Sequence, residues 1–131
     1  MTPLFRETVT ILNRRVAEDG DGLDVWKKTV LTGCVFVRTT VRSVSGADVS
    51  IGQTVTVRIP ESPNYHPYQE WKGNMKGFTA SVCDIVVHGK VTEDVNPDNI
   101  RELIGKYEFM TVRSVRDNTG LPLGHIHLEG V

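Results

Sequence analysis

Residues 54–60, TVTVRIP, set Val55, Val57 and Ile59 against Thr54, Thr56 and Arg58. Strand side chains point to opposite faces in turn, so this stretch has one apolar and one polar face. The same period recurs along the chain. TVTILNRR (8–15) places Val9 and Ile11 opposite Thr8, Thr10 and Leu12, and DVWKKTVLTG (24–33) returns to form a hairpin with it. CVFVRTTVRSV (34–44) puts Val35, Val37, Thr39 and Val41 on one face, with Gly33 as a bend or bulge before it. Asp84–His88 is a further strand, and residues 109–116 and 124–129 pair as a closing hairpin around DNTGLP. Strands so close together leave no room for helical crossovers, so the sheet is mainly antiparallel.

One segment has a helical period. In DVNPDNIRELIGKY (94–107), Asn96 can cap free amides and Pro97 fits the first turn. Ile100, Leu103 and Ile104 share a face, and Gly105 suits the stop, which predicts a helix over about 97–105. The 131 residues suit one domain: a small antiparallel β-barrel or sandwich with long loops and one short α-helix. The loops are expected at about 43–53, which is small, polar and glycine-containing, and at about 61–77, where Pro60, Pro63 and Pro67 interrupt any period.

Charge narrows the partners. The net charge of −1 gives no bulk attraction to nucleic acid or an anionic membrane. Residues 1–42 carry seven basic and five acidic side chains, residues 91–131 four basic and seven acidic, and no run is concentrated enough for a duplex-binding face. No apolar stretch approaches the roughly 20 residues of a membrane-spanning helix. Nor is there a basic-then-apolar start with a cleavage site, so secretion is not expected. Cys34 and Cys83, both in strand-like runs, read as buried thiols in a reducing compartment.

Candidate chemistry is thin. His125 and His127 share a strand face and could ligate a metal if a third group joined them; alone they read as solvent-facing. Asp84, Cys83 and His88 lack the spacing that brings a base to a thiol. EDGDGLD (18–24) lacks the ligand alternation and terminal Glu of a calcium loop and reads as a turn. No catalytic, metal or cofactor site is expected. Tyr65, His66, Tyr68, Trp71 and Lys72 gather in the segment 61–77. They are candidates for docking a partner chain, for stacking on single-stranded nucleic acid, or for a self-packed flap over one barrel end.

Three stretches, TVRIP (56–60), DIVVHG (84–89) and LIGKYEFMTVRSVRDN (103–118), stand in an order that resembles small neck proteins of tailed bacteriophages and prophages. The resemblance runs over nearly the whole chain. It implies a head-closure, or stopper, protein: a small β-barrel in a twelve-fold ring beneath the portal and adaptor, in the virion neck, after synthesis in the host cytoplasm. Partners would be sister subunits, portal or adaptor, and tail proteins, with transient contact to packaged double-stranded DNA. A tail terminator or adaptor is the neighbouring possibility, and a single-stranded nucleic-acid-binding barrel the alternative of another class. On this reading Ser45, Gly46, Asp48, Ser50 and Gly52 form a mobile channel loop, and the aromatic segment docks a subunit or the adaptor.

Overall fold

A computed structural model describes residues 7–15, 25–96, 99–118 and 124–131, and for residues 41, 43, 45 and 48–51 the backbone alone. In chain order these form β1 (Glu7–Arg15), β2 (Val25–Ser45), β3 (Asp48–Pro60), α1 (Tyr68–Asn74), β4 (Ile85–His88), α2 (Ile100–Ile104), β5 (Phe109–Asp117) and β6 (His125–Gly130). The strands close into a barrel in the order β1-β2-β3-β6-β5-β4, and β4 returns to β1. Each pairing is antiparallel, as the short connections predict. Of the two architectures expected from the sequence, the barrel is the one formed.

The strand periods fill the barrel. Val9 and Ile11, Cys34 and Phe36, Val55, Val57 and Ile59, Val86, Met110 and Val112, and Ile126 and Leu128 form one buried cluster, with Phe78 and Ala80 added from a connection. Val35 and Val37 fall on the opposite parity from Cys34 and Phe36; Val37 is exposed. A second apolar layer lies outside. Leu12, Ile85 and Val87 face out and are covered by Val91, Ile100 and Leu103. Thr10 pins this layer at its edge: its hydroxyl donates to Gly89 O (2.8 Å) and accepts from Val91 N (3.0 Å). The outward face of β1 and β4 is thus apolar because α2 and its flanks sit on it.

α2 runs over Ile100–Ile104, and the residue before it, Asn99, makes no side-chain cap bond; Asn96 provides the cap that the sequence predicts, its carbonyl accepting from Ile100 N (3.1 Å). The two asparagines exchange side-chain contacts, with Asn99 N donating to Asn96 Oδ1 (3.0 Å) and Asn96 N to Asn99 Oδ1 (2.9 Å). Pro97, EDGDGLD and most of DNTGLP lie outside the described residues. A second helix, α1, follows Pro67 inside the segment expected to be irregular.

β2 serves two neighbours in succession. Val25–Cys34 pairs with β1, and Val35–Ser45 pairs with β3. The change comes at Gly33, whose φ of +69° bends the strand. One continuous strand therefore replaces the two shorter ones expected on either side of this glycine.

Candidate functional site

The expected loop at 43–53 is a β-hairpin arm. β2 and β3 stay in register from Val35↔Arg58 to Ser45↔Asp48. Gly46 and Ala47 turn the chain, with Gly46 at φ +61°, as the first central position of a type II′ turn requires. β1 leaves β2 at Cys34 and β6 leaves β3 at Val55, so among the described residues no strand flanks rungs Thr39↔Thr54 to Ser45↔Asp48. At ~3.3 Å per residue this two-stranded ribbon reaches about 20 Å past the barrel. Ser45 ends β2, Asp48, Ser50 and Gly52 lie in β3, and only Gly46 is in the turn. The five residues do come together on the arm, between its Val41↔Gly52 rung and its tip. The small side chains that suggest a loop are tolerated because cross-strand hydrogen bonds, rather than packing, hold the register. Thr39, Thr40, Arg42, Val44, Gly52 and Gln53 are exposed.

At the base of the arm a polar network closes one barrel mouth. His88 follows Val86 on the inward parity, and β4 pairs with both β1 and β5, which brings Glu7 and Glu108 to it. His88 Nε2 lies 2.7 Å from Glu7 Oε2, and Nδ1 lies 2.8 Å from Glu108 Oε1. Its ring stacks on Phe36, with centroids 4.5 Å apart and planes 9° from parallel. Arg38 Nε donates to Glu108 Oε2 (3.3 Å), and its Nη1 donates to Gln53 Oε1 (3.3 Å). Partial burial lowers the His88 pKa, but hydrogen bonds and charge from Glu7 and Glu108 outweigh it and the net shift is upward. The hydrogen bond from His88 leads the causes that hold Glu108 below the usual carboxylate range. Both imidazole nitrogens are engaged by carboxylates, so this cluster is an ion-pair lock. It is not legible in sequence, because its members come from β1, β2, β3 and β4 and from the residue that precedes β5.

The opposite end carries the aromatic segment, which is mostly packed on itself. Trp71 is 1% exposed, so it is an interior residue and a poor candidate for docking a partner or stacking on a base. Its Nε1 donates to Gly77 O (3.3 Å). Tyr68 lies against Trp71, and Tyr65 packs on Phe78 through a short parallel bridge. His66, half-buried, sits 4.0 Å from Glu70, and Lys72 is half-buried on α1. Lys27 Nζ donates to Met75 O (2.6 Å) and Gly77 O (2.8 Å), placing a cation at the C-terminal end of α1. Of the three readings open for this segment, the self-packed flap accounts for Trp71.

Behind the flap is a buried polar knot. Asp84 Oδ2 accepts from Asn13 Nδ2 (2.9 Å) and Ser81 N (2.9 Å), and Oδ1 accepts from Arg14 N (3.0 Å). Asn13 also donates to Thr79 O (2.6 Å) and accepts from Thr79 N (3.1 Å). Burial pushes the Asp84 carboxyl up to about 6, although these donors pull it down. Neighbouring Cys83 is exposed, contrary to the buried thiol expected, because its φ of +79° turns it out of the strand path. Cys34 is buried and its thiol is pushed up to about 12 by desolvation. His125 and His127 do share a face, with rings 6.3 Å apart, and His127 Nε2 contacts Glu129 Oε1 at 3.0 Å. Among the described residues no group of three His, Cys, Asp or Glu side chains is placed to hold a metal.

One cleft opens where β2 and β3 part beyond Val35↔Arg58. Its volume is about 250 Å³, and Val30, Leu31, Thr32, Ile59, Pro60, Glu61 and Ser62 line it. No helix among the described residues is long and apolar enough to cross a membrane.

No curated protein and no solved structure gives a significant match to the chain. The match that exists runs over residues 4–131, nearly the whole barrel and its arm, and by it the chain belongs to the family of unknown function DUF6751.

Proposed function

We propose that this chain is a structural protein of the phage neck, a head-closure subunit that joins portal or adaptor to tail and helps retain and pass DNA. The observation that carries the reading is the arm. A two-stranded ribbon is marginal in water by itself, and its edges, which no described strand flanks, invite further pairing. Such an element suits a subunit that completes its structure in an assembly. A ring subunit of this kind also needs two different surfaces, one for each neighbour. The barrel with an arm at one end and a cleft at the other offers two. The strand-dominated fold fits the stopper better than the helical adaptor, and the near-neutral charge suits a conduit from which DNA must leave.

The reading is tested by locating the chain in purified particles. Electron microscopy with a tag fused to the chain is expected to place it at the head–tail junction. Absence from particles, or a position on the capsid shell, overturns the assignment. Free chains are expected to associate weakly and to complete a ring on the adaptor-bound portal, a difference that mass photometry reads directly.

A further inference from the structure

We propose that the arm of one copy seats in the β2–β3 cleft of the next copy; this deepens the ring proposal and rests on it. The cleft exists because β2 turns toward β1 at Gly33 while β3 continues along β6. Val30 and Leu31 are paired on the β1 side, Thr32 lies in the register shift beside them, and none has a β3 register partner, so one row of backbone groups faces the cleft. That is an acceptor edge for an added strand. The arm supplies a donor edge, since among the described residues no strand flanks rungs Thr39↔Thr54 to Ser45↔Asp48.

Side-chain chemistry matches. Arg42 and Val44 are two apart in β2 and so lie on the same face of the arm, both exposed, Val44 by 64%. The cleft offers Val30, Leu31, Ile59 and Pro60 as apolar lining, with the exposed carboxylate of Glu61 beside them. Val44 meets the apolar lining and Arg42, about 7 Å back along the strand, meets Glu61.

The donor cannot serve its own cleft. Leu31 and Val44 lie in one strand, and thirteen residues of it span about 40 Å. The occupant is therefore another molecule. Because arm and cleft are different surfaces, the contact is head-to-tail and propagates from copy to copy, which closes a ring when the rotation allows. The arm then forms part of the ring wall rather than hanging free in the channel.

The test is cysteine trapping of the full chain carrying Val30→Cys and Val44→Cys in a Cys83→Ser background. Both positions are exposed, and Cys34 is buried. Mild oxidation at high protein concentration is expected to give a ladder of disulfide-linked species beyond the dimer, while each single variant, whose thiol meets a valine at the contact, stays unlinked. Dimers only, or no linked species, from the double variant overturns the proposal. As a second readout, Arg42→Glu and Glu61→Arg are each expected to lower the trapped fraction about threefold, and the charge-swapped double to restore it. A double no better than either single also overturns it. A ladder from a chain that is absent from virions leaves this contact standing and removes the neck assignment; a chain at the neck without a ladder does the reverse.

Discussion

Asn13 Nδ2 donates to Asp84 Oδ2 at 2.9 Å across 71 residues of sequence. With Thr79 on its other side, Asn13 joins the first barrel strand to the connection that follows the flap and to the residue that precedes β4. Both residues are buried, so neither can exchange these partners for water. Asn13→Ala is expected to destabilise the chain by about 2–3 kcal/mol in urea unfolding, with an unchanged m-value.

Asp84 gives the chain a specific acid dependence. Burial raises its pKa from 3.8 to about 6, so between those values the folded chain holds a proton that the unfolded chain releases. Its contribution is fully present below about pH 4 and is lost as pH rises through 6. The stability of the wild type relative to Asp84→Asn is expected to fall by about 3 kcal/mol from pH 4 to pH 7. Urea melts of both proteins across that range read the difference, and a flat difference contradicts the buried carboxyl.

At the other barrel end the sign involves two groups. The His88 pKa is raised above 6.5, so its contribution is full below that value and is lost as pH rises through the folded pKa. The Glu108 pKa is lowered, so its contribution is lost as pH falls through its folded value. The lock is therefore strongest in the mildly acidic window between them. His88→Gln is expected to flatten the decline in melting temperature above neutrality, and thermal melts at stepped pH check it.

The flap is expected to tolerate little. Trp71→Ala should cost about 3–5 kcal/mol, since it empties a site where the side chain is fully enclosed. Gly77 stands at φ +68°, and a Cβ there would fall on the Asn64 carbonyl oxygen, so Gly77→Ala should destabilise by more than about 2 kcal/mol. Thermal unfolding measures both.

The cysteines differ in kind. A thiol reagent is expected to label one site per native chain, Cys83, and to reach Cys34 only on unfolding, because burial both covers that thiol and disfavours its thiolate. Mass spectrometry of the labelled native protein assigns the site.

The barrel staves are legible in sequence where alternation meets β-branched residues: Val9 and Ile11, and Val55, Val57 and Ile59, all face inward as read. The outgoing half of the arm is legible as part of the strand read over 34–44, but its turn and return are not. Its sequence from Ser43 to Gln53 is small and polar, and its pairing depends on a two-residue turn whose register only the whole ribbon reveals. α1 escapes because it is short and buries one residue, Trp71, which leaves no period to detect. Cys83 looks like a strand residue until its positive φ is known. The inward parity of His88 follows from Val86, but its partners Glu7 and Glu108 follow only from which strands β4 joins.

In the proposed ring the barrel is the folded unit and the arm is the assembly element. Removing residues 39–54 and joining Arg38 to Val55, a register pair, through a two-residue Asn-Gly turn tests it most directly. Incorporation of this variant into the portal-bound ring is measured by mass photometry, alongside its thermal melt. The shortened chain is expected to melt within a few degrees of the parent and to lose incorporation. A shortened chain that joins the ring as well as the parent, or that no longer folds, would contradict it.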